Sequence, residues 1–141
     1  MNNMDILLTN WALRLSSGKI NINCGDLRRI GKTTFLKKYI VENYPIRDYS
    51  DISRLTSWPQ MNEHLSIPVI MCDNLEIVSV CYDDLVKAGH LYKGIAANLL
   101  ALETLKGFPH IEIISDEVPN AEELLKNFPG FKYMGGFYNA R

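Results

Sequence analysis

The chain has 141 residues, of which 47% are hydrophobic and 22% charged, and its formal net charge is −1. That length suits one domain with a real core, and the balance is ordinary for a soluble globular protein. It excludes the overall basic surface of a general nucleic-acid binder, and no apolar run reaches membrane-spanning length.

In chain order, Ile6, Leu7, Trp11, Leu13 and Leu15 predict a short amphipathic helix over about 4–16, closed by Gly18. Ile20 and Ile22 alternate with polar residues and predict a strand over 19–24. Phe35, Leu36, Tyr39 and Ile40 share one helical face and predict a helix over 33–42, with Lys37 and Lys38 outward and Pro45 beyond its end. Residues 46–49 are expected as a short strand, and 55–65 as a helical turn or two around Pro59. The unbroken apolar run Ile67-Pro68-Val69-Ile70-Met71-Cys72 predicts a strand covered on both faces, ended by Asp73-Asn74. Leu91, Ile95, Leu99 and Leu102 have helical spacing and predict one helix over 84–105, closed by Gly107 and Pro109. Residues 111–115 predict another buried strand, followed by Asp116-Glu117. Asn120 is expected to cap a helix running to Phe128, with Glu122 and Glu123 in its first turn, and 130–138 to form a last strand. Alternating strands and helices predict a compact three-layer α/β fold with a mostly parallel central sheet, as a single domain over 1–141.

Cys24, Cys72 and Cys81 lack paired spacing, which argues for reduced thiols rather than a disulfide framework or a zinc site. His64, His90 and His110 match no metal-ligand spacing. The first residues lack the basic-then-apolar pattern of a secretion signal, so a cytoplasmic protein with no membrane association is expected.

The most informative stretch is Cys24-Gly25-Asp26-Leu27-Arg28-Arg29-Ile30-Gly31-Lys32-Thr33-Thr34, set between the strand over 19–24 and the helix over 33–42. A loop of this kind curls backbone N–H groups around an anion. Gly31 permits close approach, the helix N-terminus adds positive partial charge, Lys32 reaches the outer phosphates, and the Thr33 hydroxyl holds magnesium. One position departs from the pattern: Asp26 stands where the first glycine belongs, and Gly25 comes one residue early. A carboxylate there repels phosphate unless it turns away or pairs with Arg28 or Arg29.

The stretch resembles the Walker A loop of the P-loop NTPases, and among them ATPases with Arg-Arg before an apolar residue and Gly-Lys-Thr. The resemblance implies a P-loop NTPase-like fold that binds ATP or GTP with magnesium, through Arg28, Arg29, Ile30, Gly31, Lys32, Thr33 and Thr34. It implies a second metal-holding carboxylate at the end of a neighbouring strand. Asp73 is the expected acid, and Lys32 and Asp73 would carry the reaction. The position after the acid is often a glutamate that activates water; here it is Asn74, which cannot act as a base, so Glu76 is taken as its substitute. Asp116-Glu117 is a competing acid pair, and Ser115 would sense the γ-phosphate if that strand held a different place. Two plainer readings stand beside these: Asp73-Asn74 only turns the chain, and Gly-Lys-Thr only starts a helix. Arg47, Arg54 and Arg141 are candidate arginine fingers for a neighbouring subunit, each more simply a surface residue.

The second half also resembles the Gcn5-related acetyltransferases. There Tyr92-Lys93-Gly94-Ile95-Ala96-Ala97-Asn98-Leu99-Leu100 would be the acetyl-coenzyme A loop, with one glycine left. A third reading is a non-catalytic interaction module on a P-loop scaffold. The expected activity is therefore that of a small magnesium-dependent ATPase with weak hydrolysis. A chain this short implies a partner protein or a second copy for efficient turnover, and the Arg-Arg loop suggests a nucleic-acid-related process by analogy alone.

Overall fold

A computed structural model describes residues 21–23, 31–49, 66–108 and 110–139. The expected helix over 4–16, the turns around Pro59, and Cys24, Asp26, Arg28, Arg29, Ile30, Arg54 and Arg141 lie outside the described residues. The described strands are β1 (Asn21–Asn23), β2 (Ile67–Cys72), β3 (Lys93–Ala96), β4 (Ile111–Asp116) and β5 (Lys132–Tyr138). They form one sheet in the order β1-β5-β4-β2-β3, and every pairing in it is parallel. The helices are α1 (Lys32–Asn43), α2 (Leu75–Ala88), α3 (Leu99–Glu103) and α4 (Ala121–Leu125). The protein is therefore α/β, with a parallel central sheet. No described helix is long and apolar enough to cross a membrane.

Two clusters of buried side chains cover the two faces of the sheet. On one face Leu36 and Ile40 of α1 and Val78, Tyr82 and Leu85 of α2 meet Ile70, Cys72, Ile114 and Phe137. On the other, Leu102 of α3 and Ala121 and Leu125 of α4 meet Val69, Met71, Ile113 and Tyr133. Successive β2 residues thus point into opposite clusters, which is why its sequence is continuously apolar. Pro68 is tolerated in this central strand because its carbonyl, accepting from Tyr92 N–H at 3.0 Å, faces β3. Its missing N–H faces the same way, and the β3 ladder begins only at the next pair, Val69 with Lys93.

The structure corrects the helix expected over 84–105. Residues 75–88 form α2, Gly89 ends it in the left-handed conformation at φ 87°, and Lys93–Ala96 is a strand. The 3–4 spacing of Leu91, Ile95, Leu99 and Leu102 came from a loop, a strand and a short helix in succession. Asn98 caps α3 by accepting from Ala101 N–H at 2.8 Å, a second helix start inside the stretch. Residues 46–49 form no strand, and the helix after Asn120 ends at Leu125 rather than Phe128.

A bulge in β5 controls what reaches the C-terminal edge of the sheet. Ile113 pairs with Tyr133 but Ile114 pairs with Gly135, so Met134 is the extra residue and Gly135 takes φ 102°. Tyr133 and Phe137 are four residues apart, yet they fall in opposite clusters. The bulge thereby turns the end of β5 toward the α1–α2 face.

Candidate functional site

Because the sheet is parallel, the ends of β2, β4 and β5 and the start of α1 gather along one edge, where open α/β sheets receive ligands. A cavity of about 310 Å³ opens there, lined by Gly31, Lys32, Thr33, Thr34, Ile77, Asp116 and Glu117. Gly31 precedes α1 in the left-handed conformation at φ 83°, which favours glycine, and among the described residues no side chain caps the first turn. The N-terminus of this three-turn helix is therefore presented to the cavity.

Two linked sets of contacts organise the cavity. Thr33 Oγ1 donates to Asp116 Oδ2 at 3.0 Å, and the Tyr82 hydroxyl donates to the same oxygen at 2.7 Å. Asp116 is only 3% exposed, and its other oxygen, Oδ1, is buried with no hydrogen-bond partner among the described residues. Burial pushes the Asp116 carboxyl above the usual carboxylate range, and the neighbouring Glu117 adds to that; the Tyr82 and Thr33 donors and Lys32 oppose it. Burial beside this carboxylate also raises the Tyr82 phenol, keeping it a donor.

In the second set, Lys32 Nζ lies 3.0 Å from Glu117 Oε1 and donates to Asn139 Oδ1 at 2.6 Å. Asn139 N–H donates to Glu117 Oε2 at 3.3 Å, and Glu117 N–H donates to the Phe137 carbonyl at 2.8 Å. Glu117 adopts φ 63°, a left-handed conformation that costs a side-chain-bearing residue strain and here turns the chain directly after β4. Lys32 is thus held between the ends of β4 and β5.

The sequence-predicted residues divide. Gly31, Lys32, Thr33 and Thr34 come together at the cavity. The acid beside Thr33 is Asp116, not Asp73. Asp73 and Glu76 are exposed and do not line the cavity. Asn74 has a local duty, capping α2 by accepting from Ile77 N–H at 2.9 Å. Asp73-Asn74 therefore carries the plainer reading, a turn into a helix. Ser115 is fully buried and bonded to the Tyr133 hydroxyl at 2.6 Å, so its side chain belongs to the core. Arg47 lies at the other end of the sheet, in a cavity shared with Ser66 before β2 and Glu112 near the start of β4. Cys72 is buried and Cys81 half-buried, and burial raises both thiols above their ordinary range. The stretch proposed as an acetyl-coenzyme A loop is β3 followed by a short turn into α3.

Sequence reasoning missed Asn139 and Tyr82. Asn139 carries no motif, and its arrival at Lys32 depends on the bulge. Tyr82 is one apolar position among several on α2, and only the fold reveals that its hydroxyl meets Asp116. No family model matches the chain, and no curated protein or solved structure matches it either. The chemistry of the cavity itself carries the functional argument.

Proposed function

We propose that this chain binds ATP or GTP together with magnesium at the N-terminus of α1, as a small NTPase of the P-loop kind. The observation that carries the reading is the meeting of Thr33 Oγ1 with Asp116 Oδ2 at 3.0 Å in a cavity that also holds Lys32. A hydroxyl just after Gly-Lys, brought onto the acid that ends another strand, is the pair such a site needs to hold a metal.

The residues present suit magnesium. Both donors are hard oxygens, and Asp116 Oδ1 is an orphaned buried acceptor. Among the described residues no group of three or more His, Cys, Asp and Glu side chains could hold a metal unaided. Magnesium commonly takes one or two protein oxygens and completes its shell with phosphate and water. Thr33 and Asp116 would hold it, and when bound it neutralises charge developing on phosphate oxygens.

The remaining roles belong to the chain. The N–H groups of the first turn of α1 and the Lys32 ammonium receive the phosphates. Lys32 then exchanges part of its contact with Glu117 and Asn139 for phosphate oxygen. Glu117, released from that ion pair, is the carboxylate available to accept a proton from attacking water. It takes over the role expected of Glu76, so the lack of a base at Asn74 no longer argues against hydrolysis. Asn139 supplies an amide at the end of β5, beside the same phosphate.

Titration with a fluorescent ATP analogue and magnesium tests the reading. Lys32→Ala is expected to weaken binding by at least tenfold, and unchanged affinity would overturn the proposal. Hydrolysis, if dependent on a partner or second copy, should fall per protomer on dilution. A constant rate per protomer removes that requirement.

A further inference from the structure

The Thr33 contact alone does not settle which of the two Asp116 oxygens keeps its lone pairs unpartnered among the described residues. A carboxylate is symmetric and turns about its last torsion through a broad, two-fold profile, so one hydrogen bond does not fix it firmly. Two donors do so here, and they converge on the same atom, Tyr82 at 2.7 Å and Thr33 at 3.0 Å from Oδ2. Of the two, only Tyr82 is removed from the ligand's reach. It is fully buried on α2, packed within the cluster that joins α1, α2 and the sheet, and it does not line the cavity. Thr33 by contrast lines the cavity, and its hydroxyl has to meet the cation.

We infer that Tyr82 is a positioning residue: its hydroxyl anchors Asp116 Oδ2 from inside the core and thereby reserves Oδ1 for the metal. The inference rests on the nucleotide-and-magnesium reading proposed above. Charged acceptors with buried donors form short, strong hydrogen bonds, and residues that orient a metal ligand commonly matter to metal affinity by ten- to a hundredfold. Tyr82 acts on the metal side of the site, through Asp116 and the neighbouring Thr33 hydroxyl, so it should affect the metal without affecting the phosphates. Lys32 and the backbone N–H groups of the first turn of α1 grip the phosphates; the group there that Tyr82 does reach is the Thr33 hydroxyl, which is assigned to the metal.

Tyr82→Phe removes one oxygen and keeps the ring, so the core stays filled. The test uses the full chain with a fluorescent ATP analogue, titrated with magnesium, and with manganese followed by the electron paramagnetic resonance signal of the free ion. The expected result is a half-saturating metal concentration raised about tenfold, with metal-free nucleotide affinity unchanged. In an Asp116→Asn background the same substitution should leave the metal response as it was, because the two act as one unit. Equal metal half-saturation in Tyr82→Phe and the parent protein overturns the inference and leaves the functional reading intact. Equal loss of metal-free nucleotide affinity also overturns it, since that marks general damage to the site. If the parent protein binds no nucleotide at all, the functional reading fails and this inference falls with it.

Discussion

Asp116 is held in the fold against its own charge. Its carboxyl is buried, one oxygen has no partner among the described residues, and burial is the largest influence on its titration, raising it. The consequence for stability has a definite sign. A carboxyl raised in the folded state binds its proton more tightly there than in the unfolded chain. Its favourable contribution is full below the unfolded-state value and is lost as pH rises through the folded-state value. Asp116→Asn removes that loss while keeping an acceptor for Thr33 and Tyr82. The metal-free variant is expected to be more stable than the parent at neutral pH, with the gap closing as pH falls below the ordinary carboxylate value of about 4. Urea denaturation at both pH values measures it, and a destabilised variant at neutral pH would show that the ionised carboxylate is a net stabiliser. Lys32 and Thr33 were legible at this scale because their motif is local. The choice between Asp73 and Asp116 was not. Both acids follow an apolar strand, and which one meets Thr33 depends on strand order, a non-local property.

At the scale of elements, the buried strands β2 and β4 and the helix α1 were readable because their patterns are continuous and their ends are marked by Asp, Asn or Gly. The error over 84–105 shows the limit. Gly89, with Lys87 before it, and Asn98 were both boundary signals, but the regular spacing of leucine and isoleucine across them masked two breaks. Gly94 is the physical clue to the strand. Helix α2 packs so closely on β3 that a Cβ at Gly94 would overlap Val78. Gly94→Ala should therefore destabilise the protein by about 1–3 kcal/mol. Val78→Ala opens space at that contact, so the double variant should be more stable than the summed single effects by 0.5 kcal/mol or more, a coupling of the usual size for touching residues. Strict additivity in chemical denaturation would mean the helix and strand do not meet this tightly. Gly136 is a harsher case, because a Cβ there would meet the Ser115 backbone, which no side-chain truncation can relieve.

At the scale of the whole molecule, the sheet brings together groups that are far apart in sequence. Thr33 and Asp116 are 83 positions apart, and Lys32 and Asn139 are 107 apart. A ligand bridging the start of α1 and the ends of β4 and β5 therefore ties together segments from most of the described chain. Such a ligand stabilises the folded state by mass action, about 2.7 kcal/mol at a free concentration a hundred times its dissociation constant. For a domain of this size that corresponds to a rise in Tm of several degrees. ATP or GTP with magnesium should produce the rise, the same nucleotide with a chelator a smaller one, and acetyl-coenzyme A none. Asp116→Asn should respond equally with magnesium and with chelator, because the carboxylate proposed to hold the metal is gone. Lys32→Ala should lose the response to nucleotide altogether. A shift with acetyl-coenzyme A instead would move the ligand to the second half of the chain and away from Lys32. A nucleotide shift that survives Lys32→Ala would place binding outside the cavity at the start of α1. The panel thus discriminates sites as well as ligands, since each variant breaks a different link between the helix start and the strand ends.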